Sequence, residues 1–228
     1  MTVTPDASEV FDPVVRRFHD LYCKTGWRTW SKTEWMGVPL IKCPFDLLVY
    51  QEILFERRPD VIVETGTYRG GSAYFFASMC DLIGSGRVIT IDIAEHEGRP
   101  EHPRITYLTG SSVAPETVSA VRESIGKDER AMVVLDSDHA RKYVLEEIRA
   151  YASLVDVGDY LIVEDTNIRL WYQDATPGPM EAVDTFLSED DSFEIDRSRE
   201  KFFMTFNPRG YLLRTSPEPG SRDRPSPR

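Results

Sequence analysis

The sequence predicts a doubly wound α/β fold, a mostly parallel sheet covered by helices on both faces, from three observations. Short β-branched runs alternate with helix-length segments through the middle of the chain. The run Val61-Ile-Val-Glu64 ends on an acid and passes through Gly66 and the pair Gly70-Gly71 into an apolar stretch, which spells strand, tight turn, helix. Acids recur at the ends of later strands, where sheets of this kind gather their functional groups.

Residues 11–25 read as an amphipathic helix with Val14, Val15, Phe18, Leu21 and Tyr22 along one side. An aromatic segment with Trp27, Trp30 and Trp35 follows, too interrupted for a regular helix. It needs burial against the core, a neighbouring subunit or an acceptor. Residues 42–55 form a helix with Pro44 and Asp46 near its start, and Leu47, Leu48, Ile53 and Leu54 suited to packing on a sheet. After the strand at Val61, residues 72–83 are a helix stopped by Gly84, and residues 87–93 form the second strand. A third strand covers 105–108, a helix 115–125, a fourth strand 131–135, a helix 142–154 and a fifth strand 160–163. Residues 168–176 read as an irregular loop and 181–187 as a helix. Strands are expected at 193–196 and 202–206, with 210–213 finishing the second of them, so that an antiparallel hairpin closes the sheet. The divisions expected are an N-terminal helical and aromatic extension over 1–57, serving as lid or oligomer contact, a main domain over 58–214, and a disordered tail over 215–228 rich in Pro, Ser and Arg.

Composition narrows the function. Acids exceed bases by eleven among 228 residues, which disfavours nucleic acid and anionic membranes as partners. No run approaches a membrane span and the first ten residues carry no apolar leader, so a cytoplasmic location is expected. Cys23, Cys43 and Cys80 are too few and too scattered for a disulfide framework or a zinc site, and read as free and structural.

The loop after the first strand is not a dinucleotide fingerprint, because Tyr68 stands where its second glycine belongs. Nor is it a triphosphate loop, because Ser72 follows Gly71 with no lysine between. The remaining pattern, an acid, Gly66 and then Gly70, resembles the first motif of class I S-adenosylmethionine (SAM) methyltransferases. That resemblance implies that Glu64 faces the methionine ammonium, with Gly66, Thr67, Tyr68, Gly70 and Ser72 around the methionyl and ribosyl parts. Asp92, at the tip of the second strand, sits where a carboxylate reaches ribose hydroxyls. Ser111 and Ser112 follow the third strand, near an adenine in this topology, and either could instead cap a helix.

Asp136, Asp138, Glu164 and Asp165 crowd the tips of two neighbouring strands. Like charges so close are protonated or share a cation, and carboxylates favour Mg²⁺ or Mn²⁺ over zinc. Asp136, Glu164 and Asp165 are the expected ligands, with Asp138 as the alternative to Asp136 and possible help from Asn167. His139 is a candidate general base, its ordinary pKa of about 6.5 suiting proton transfer near neutrality. An aliphatic hydroxyl needs such activation, and a bound cation can lower an oxygen's pKa from 15.7 towards about 7.

Taken together, the Trp35-x-Gly37 pair, Pro44-x-Asp46 with Tyr50-Gln-Glu, the segment from Glu64 to Ser72, Leu135-Asp-Ser-Asp-His139, Val163-Glu-Asp-Thr166 and Pro177-Gly-Pro resemble the cephalosporin hydroxylase / rhamnosyl O-methyltransferase family over residues 27–213. The resemblance implies a Rossmann-like, seven-stranded methyltransferase sheet and SAM with Mg²⁺ (or Mn²⁺). It also implies Asp136 as a metal ligand three residues before a catalytic His139, paired acids Glu164 and Asp165, and assembly as a homo-oligomer. The function expected is methyl transfer to a hydroxyl, most readily a sugar's, on a secondary metabolite, antibiotic or glycolipid. The competing readings are an NAD(P)-linked oxidoreductase or hydroxylase and a SAM-binding assembly subunit without catalysis.

Overall fold

The computed structural model describes residues 13–168 and 177–217. The expectations for the first twelve residues, for Trp171 and Tyr172 in the loop before Pro177, and for the end of the tail lie outside the described residues.

Helix α1 (Pro13–Lys24) leads into two short helical turns and a two-stranded hairpin of β1 (Glu34–Trp35) and β2 (Val38–Pro39). Helix α2 (Pro44–Arg57) starts with proline at N1, which has no amide to leave unpaired, and stops where Arg58 turns left-handed. The main sheet then builds from β3 (Val61–Thr65), β4 (Arg87–Asp92), β5 (Ile105–Thr109), β6 (Ala131–Leu135), β7 (Tyr160–Val163), β8 (Phe193–Ile195) and β9 (Tyr211–Arg214). Between them lie α3 (Gly71–Ile83), α4 (Pro115–Glu123), α5 (Arg141–Tyr151) and α6 (Pro179–Glu189).

Strand order is β5-β4-β3-β6-β7-β9-β8, seven strands with β9 antiparallel to both β7 and β8 and the other neighbours parallel. The doubly wound sheet with an antiparallel end is the fold class that the sequence indicates. Its winding reverses between β3 and β6, and such a reversal opens a crevice beyond the carboxyl ends of those two strands.

Both central strands are buried along their whole length, as parallel strands covered on two faces must be. Alternation decides which layer each residue joins. Val61, Val63, Val133 and Leu135 pack with Val144, Ile148 and Phe186 on one face, whereas Ile62, Met132 and Val134 pack with Tyr50, Ile53 and Phe76 on the other. Leu48 departs from the expected packing: it is half exposed on the outer side of α2, while Ile53 and Leu54 face the sheet.

One expected strand is absent. Residues 202–206 are rich in aromatic residues, yet they run as turns and irregular backbone, and only residues 211–214 pair in the sheet. The cause is a buried acid on α2. Asp46 accepts hydrogen bonds from Thr205 Oγ1 at 2.6 Å, the Phe206 amide at 2.8 Å and the Tyr211 hydroxyl at 2.8 Å, which takes that amide away from any strand ladder. Positive φ at Phe203 and Arg209 completes the detour.

The aromatic N-terminal segment packs on the same chain at two of its three tryptophans. The Trp35 indole donates to Ser78 Oγ on α3 at 3.0 Å and meets the Phe75 ring edge-on, and Trp30 meets Phe206 edge-on; Trp27 is exposed. The three cysteines are free and buried. Among the described residues no helix is long and apolar enough to cross a membrane.

Gly66 carries the tightest constraint in the sheet. Its φ of 88° belongs to the left-handed region, and a Cβ there would overlap the Asp136 carbonyl oxygen across the β3–β6 crevice. Gly66→Ala is expected to destabilise the fold by on the order of 3 kcal/mol, read as a lowered denaturant midpoint. An unchanged midpoint would show that the two strand ends can move apart freely.

Candidate active site

The crevice between β3 and β6 holds an open cavity lined by Leu40, Lys42, Gly66, Thr67, Tyr68, Gly71, Ser72 and Asp136. One wall is Pro39, at the end of the β1–β2 hairpin, with Leu40 and Lys42 beyond it. Backbone from Pro39 lies so close to Gly71 that a side chain at Gly71 would overlap the Pro39 carbonyl. The first turn of α3 thus brings Gly71 and Ser72 to the cavity wall.

Glu64, on β3 two residues before Gly66, is fully buried behind the residues that line the cavity. Its Oε2 accepts from Thr90 Oγ1 at 2.6 Å, and Thr90 is paired in turn with Thr67 at 2.6 Å. Oε1 is buried with no hydrogen-bond partner among the described residues. Burial pushes the Glu64 carboxyl above its ordinary pKa, against the pull of Lys42 and Ser72. A buried carboxylate whose Oε1 accepts no well-aligned hydrogen bond, although the Ser72 hydroxyl is close enough to pull on it, suits a cationic ligand such as an ammonium.

Asp92 accepts from the Tyr68 amide at 2.6 Å and the Ala94 amide at 2.9 Å, with the Arg99 guanidinium 3.5 Å away. It thus ties the tip of β4 to the Gly-rich loop at the cavity's edge. Ser111 and Ser112 are half-buried after β5: the Ser111 carbonyl accepts from the Ala114 amide, and the Ser112 carbonyl accepts from the Tyr151 hydroxyl. Neither lines the cavity. Gly70 takes the left-handed conformation that starts α3.

The acids at the tips of β6 and β7 separate into two sets. Asp136, His139 and Asp165 each offer one ligand atom within 4.8 Å of the others. His139 Nε2 lies 2.9 Å from Asp165 Oδ2 and 3.9 Å from Asp136 Oδ1. Glu164 is placed differently from the sequence expectation. It is buried away from this cluster, its Oε1 accepting from Lys42 Nζ at 2.6 Å and from the Tyr50 hydroxyl at 2.8 Å. Asp138 also turns aside and accepts from the Ala140 amide at 2.6 Å, ahead of α5. Asn167 is buried, with its amide bonded to the Phe206 carbonyl. Two carboxylates and an imidazole facing one point are a donor set that fits a small, hard divalent ion.

Three residues that sequence reasoning passed over hold these acids in place. Lys42, 3% exposed, donates to Asp136 Oδ2 at 2.9 Å as well as to Glu164. Burial alone would lower its pKa, but Asp136 and Glu164 outweigh burial and keep the ammonium charged. Tyr50 donates to Glu164 and accepts from Asn207 Nδ2 at 2.8 Å; Asn207 Oδ1 in turn accepts from the Asp165 amide at 3.0 Å. Asp165 sits at φ 55°, a conformation that costs energy for a side-chain-bearing residue and is held by this amide bond. The one hint in the sequence was a lysine set within the apolar run Leu40-Ile-Lys42-Cys43.

His139 is raised to about 9, first by its hydrogen bond to Asp165 and then by the charges of Asp165, Asp136 and Asp138, against burial. In the absence of a metal the folded state therefore holds this proton more tightly than the unfolded chain, whose histidine titrates near 6.5. The contribution is complete below about pH 6.5 and is lost as pH rises through about 9. The His139 side chain is 43% exposed, so solvent screening limits it to under about 1 kcal/mol. Chelator-treated wild type should lose more stability than His139→Gln between those pH values; identical pH profiles from denaturant titrations would rule the ion pair out. Tyr50→Phe, which strands Glu164 and Asn207 without their shared hydroxyl, should cost about 1–3 kcal/mol by the same assay.

Comparison with known proteins bears on this geometry. Residues 27–215 match the family model for rhamnosyl O-methyltransferase/CmcI. The chain is similar to the rhamnosyl O-methyltransferase of Mycobacterium leprae, 35% identical over 215 residues that cover 89% of this chain and 91% of the relative. It is 35% identical to the Mycobacterium tuberculosis H37Rv rhamnosyl O-methyltransferase over 214 residues, 89% of this chain and 86% of that one. Among solved structures it resembles CmcI with Mg and SAM, at a TM-score of 0.63 and 26% identity over 82% of this chain and 78% of that one. The methyltransferase MycE in complex with Mg, SAH and mycinamycin VI shares the fold, with a TM-score of 0.54 and 16% identity over 76% of this chain and 50% of that one.

Proposed function

The chain belongs to the rhamnosyl O-methyltransferase/CmcI family, and from that premise we propose that this SAM-dependent O-methyltransferase acts on a sugar hydroxyl with the help of a divalent cation. The observation that carries the reading is a cavity walled by Gly66, Gly71 and Asp136, with the buried Glu64 two residues before Gly66 and the Asp136–His139–Asp165 cluster sharing Asp136 with the cavity wall. One half of that arrangement suits the charged methionyl end of SAM and the other suits an ion and an acceptor oxygen. The rhamnosyl O-methyltransferases named above and the Mg and SAM of the CmcI structure support the same combination.

Each residue then has a part. Glu64 takes the methionine ammonium, while Gly66, Thr67 and Tyr68 bound the cavity beside the methionyl chain and Gly71 and Ser72, at the first turn of α3, meet its carboxylate. Asp92, through the Tyr68 amide, is placed to bring the loop and a ribose together, and Ser111 and Ser112 mark the adenine side. SAM supplies an electrophilic methyl group. Asp136 and Asp165 would hold Mg²⁺ or Mn²⁺, with Glu164 joining them only if its carboxylate is released from Lys42 and Tyr50. A bound cation supplies positive charge that acidifies a hydroxyl held beside it.

His139 receives the proton that the acceptor hydroxyl loses as the methyl–oxygen bond forms and the methyl–sulfur bond breaks. With the acid charges uncompensated, its imidazole stays protonated up to about pH 9 and cannot act as a base. Positive charge shared by Asp136 and Asp165 would release it for that role at lower pH. Proton acceptance and cation binding are thereby tied to the same two carboxylates.

The reading is tested with methyl-labelled SAM and a panel of rhamnosides, with Mg²⁺ or with a chelator. Transfer to a sugar hydroxyl that stops on chelation is the expected result; transfer unaffected by chelator would remove the cation, and none to any glycoside would remove the acceptor class. Glu64→Gln should raise the KM for SAM by at least about tenfold, the loss of one charge-assisted hydrogen bond. An unchanged KM would place the ammonium elsewhere.

A further inference from the structure

Lys42 has no part in the transfer just described, yet it is the best-buried cation at the site. It follows the β1–β2 hairpin and precedes α2, and its side chain reaches inward to the tips of β6 and β7. Nζ lies 2.9 Å from Asp136 Oδ2 and 2.6 Å from Glu164 Oε1. The other Asp136 oxygen, Oδ1, is the one on the His139 side, 3.9 Å from Nε2. A single carboxylate is therefore divided, one oxygen engaged by a fixed lysine and one turned to the cluster that suits an ion.

We propose that Lys42 is a positioning residue that sets the divalent-cation affinity of the strand-tip acids, a built-in counter-charge that keeps Asp136 and Glu164 together when no ion is present and limits how tightly an ion is held. The inference rests on the reading of Asp136 and Asp165, beside His139, as a cation site. Two effects of the lysine oppose each other. It gathers two carboxylates that would otherwise repel, which helps an ion bind. It also occupies their oxygens and places a positive charge across Asp136 from a dication, which hinders binding. The second effect involves a doubly charged ion and is the larger of the two by Coulomb's law. Arginine at the same place would keep the charge; an uncharged side chain would free both acids.

The test measures Mn²⁺ binding to the metal-stripped full chain, without SAM or acceptor, from the electron paramagnetic resonance signal of free Mn²⁺. Lys42→Met and Lys42→Gln are expected to bind at least about tenfold more tightly than wild type, and Lys42→Arg to stay near the wild-type value. A merely structural lysine would give the opposite sign, because a loosened site binds less well. Equal or weaker binding by both uncharged variants would overturn the proposal while leaving the cation site standing. No binding by wild type would overturn the cation site itself, and the proposal with it. Should the uncharged variants fold only when Mn²⁺ is added, the ion has replaced the lysine's charge, as proposed; failure to fold even then would mark Lys42 as structural and overturn it.

Discussion

Mutual repulsion among carboxylates at the ends of two adjacent parallel strands is the constraint from which the rest of the site follows. Residues 135–136 and 163–165 lie side by side because β6 and β7 pair in parallel, so Asp136, Glu164 and Asp165 cannot be separated by a change of side-chain direction alone. The structure answers the repulsion in two ways. Lys42 stands between Asp136 and Glu164, and His139 stands between Asp136 and Asp165. Asp136 is common to both pairs, which makes it the hinge between the cavity beside the hairpin and the exposed cluster. Removing one partner of so buried a pair leaves an uncompensated charge, a far larger cost than the pair's own net worth.

Packing away from the site serves this arrangement. Asp46 on α2 pulls residues 205–206 out of strand geometry, and Asn207, one position further on, then reaches both Tyr50 and the Asp165 backbone. The same helix supplies Tyr50 to Glu164. A single stretch from Lys42 to Tyr50 thus supports the acid tips from below. It also explains why a buried acid is retained on α2, where burial pushes Asp46 up to about 6: its three hydrogen bonds hold the segment that bears Asn207. The hairpin plays the matching part on the cavity side, where Pro39 meets Gly71 and Trp35 anchors to Ser78.

Much of this was legible in the sequence where the physical signal is local. The β3–Gly66–α3 unit, the order of strands and helices, and the acids at Glu64, Asp92, Asp136 and Asp165 follow from periodicity and from residues close in the chain. What stayed hidden depends on contacts between distant residues. Lys42 meets Asp136 and Glu164 across separations of 94 and 122 residues, and no pattern around it reports the pairing. For the same reason Glu164 read as equivalent to its neighbour Asp165, although successive residues leaving a strand point to opposite sides. The expected strand at 202–206 failed because β propensity describes packing on a pleated surface, and a buried carboxylate elsewhere had claimed the Phe206 amide.

Asp136 divides its two oxygens, one held by Lys42 and the other turned towards His139 and Asp165, where an ion is proposed to bind. Anomalous diffraction from crystals of the protein grown with Mn²⁺ and S-adenosylhomocysteine tests it most directly. One strong Mn²⁺ peak in contact with Asp136 and Asp165, with Lys42 still bonded to Asp136 Oδ2, is the expected result. A peak remote from Asp136, or one that has taken the lysine's place between Asp136 and Glu164, would contradict it.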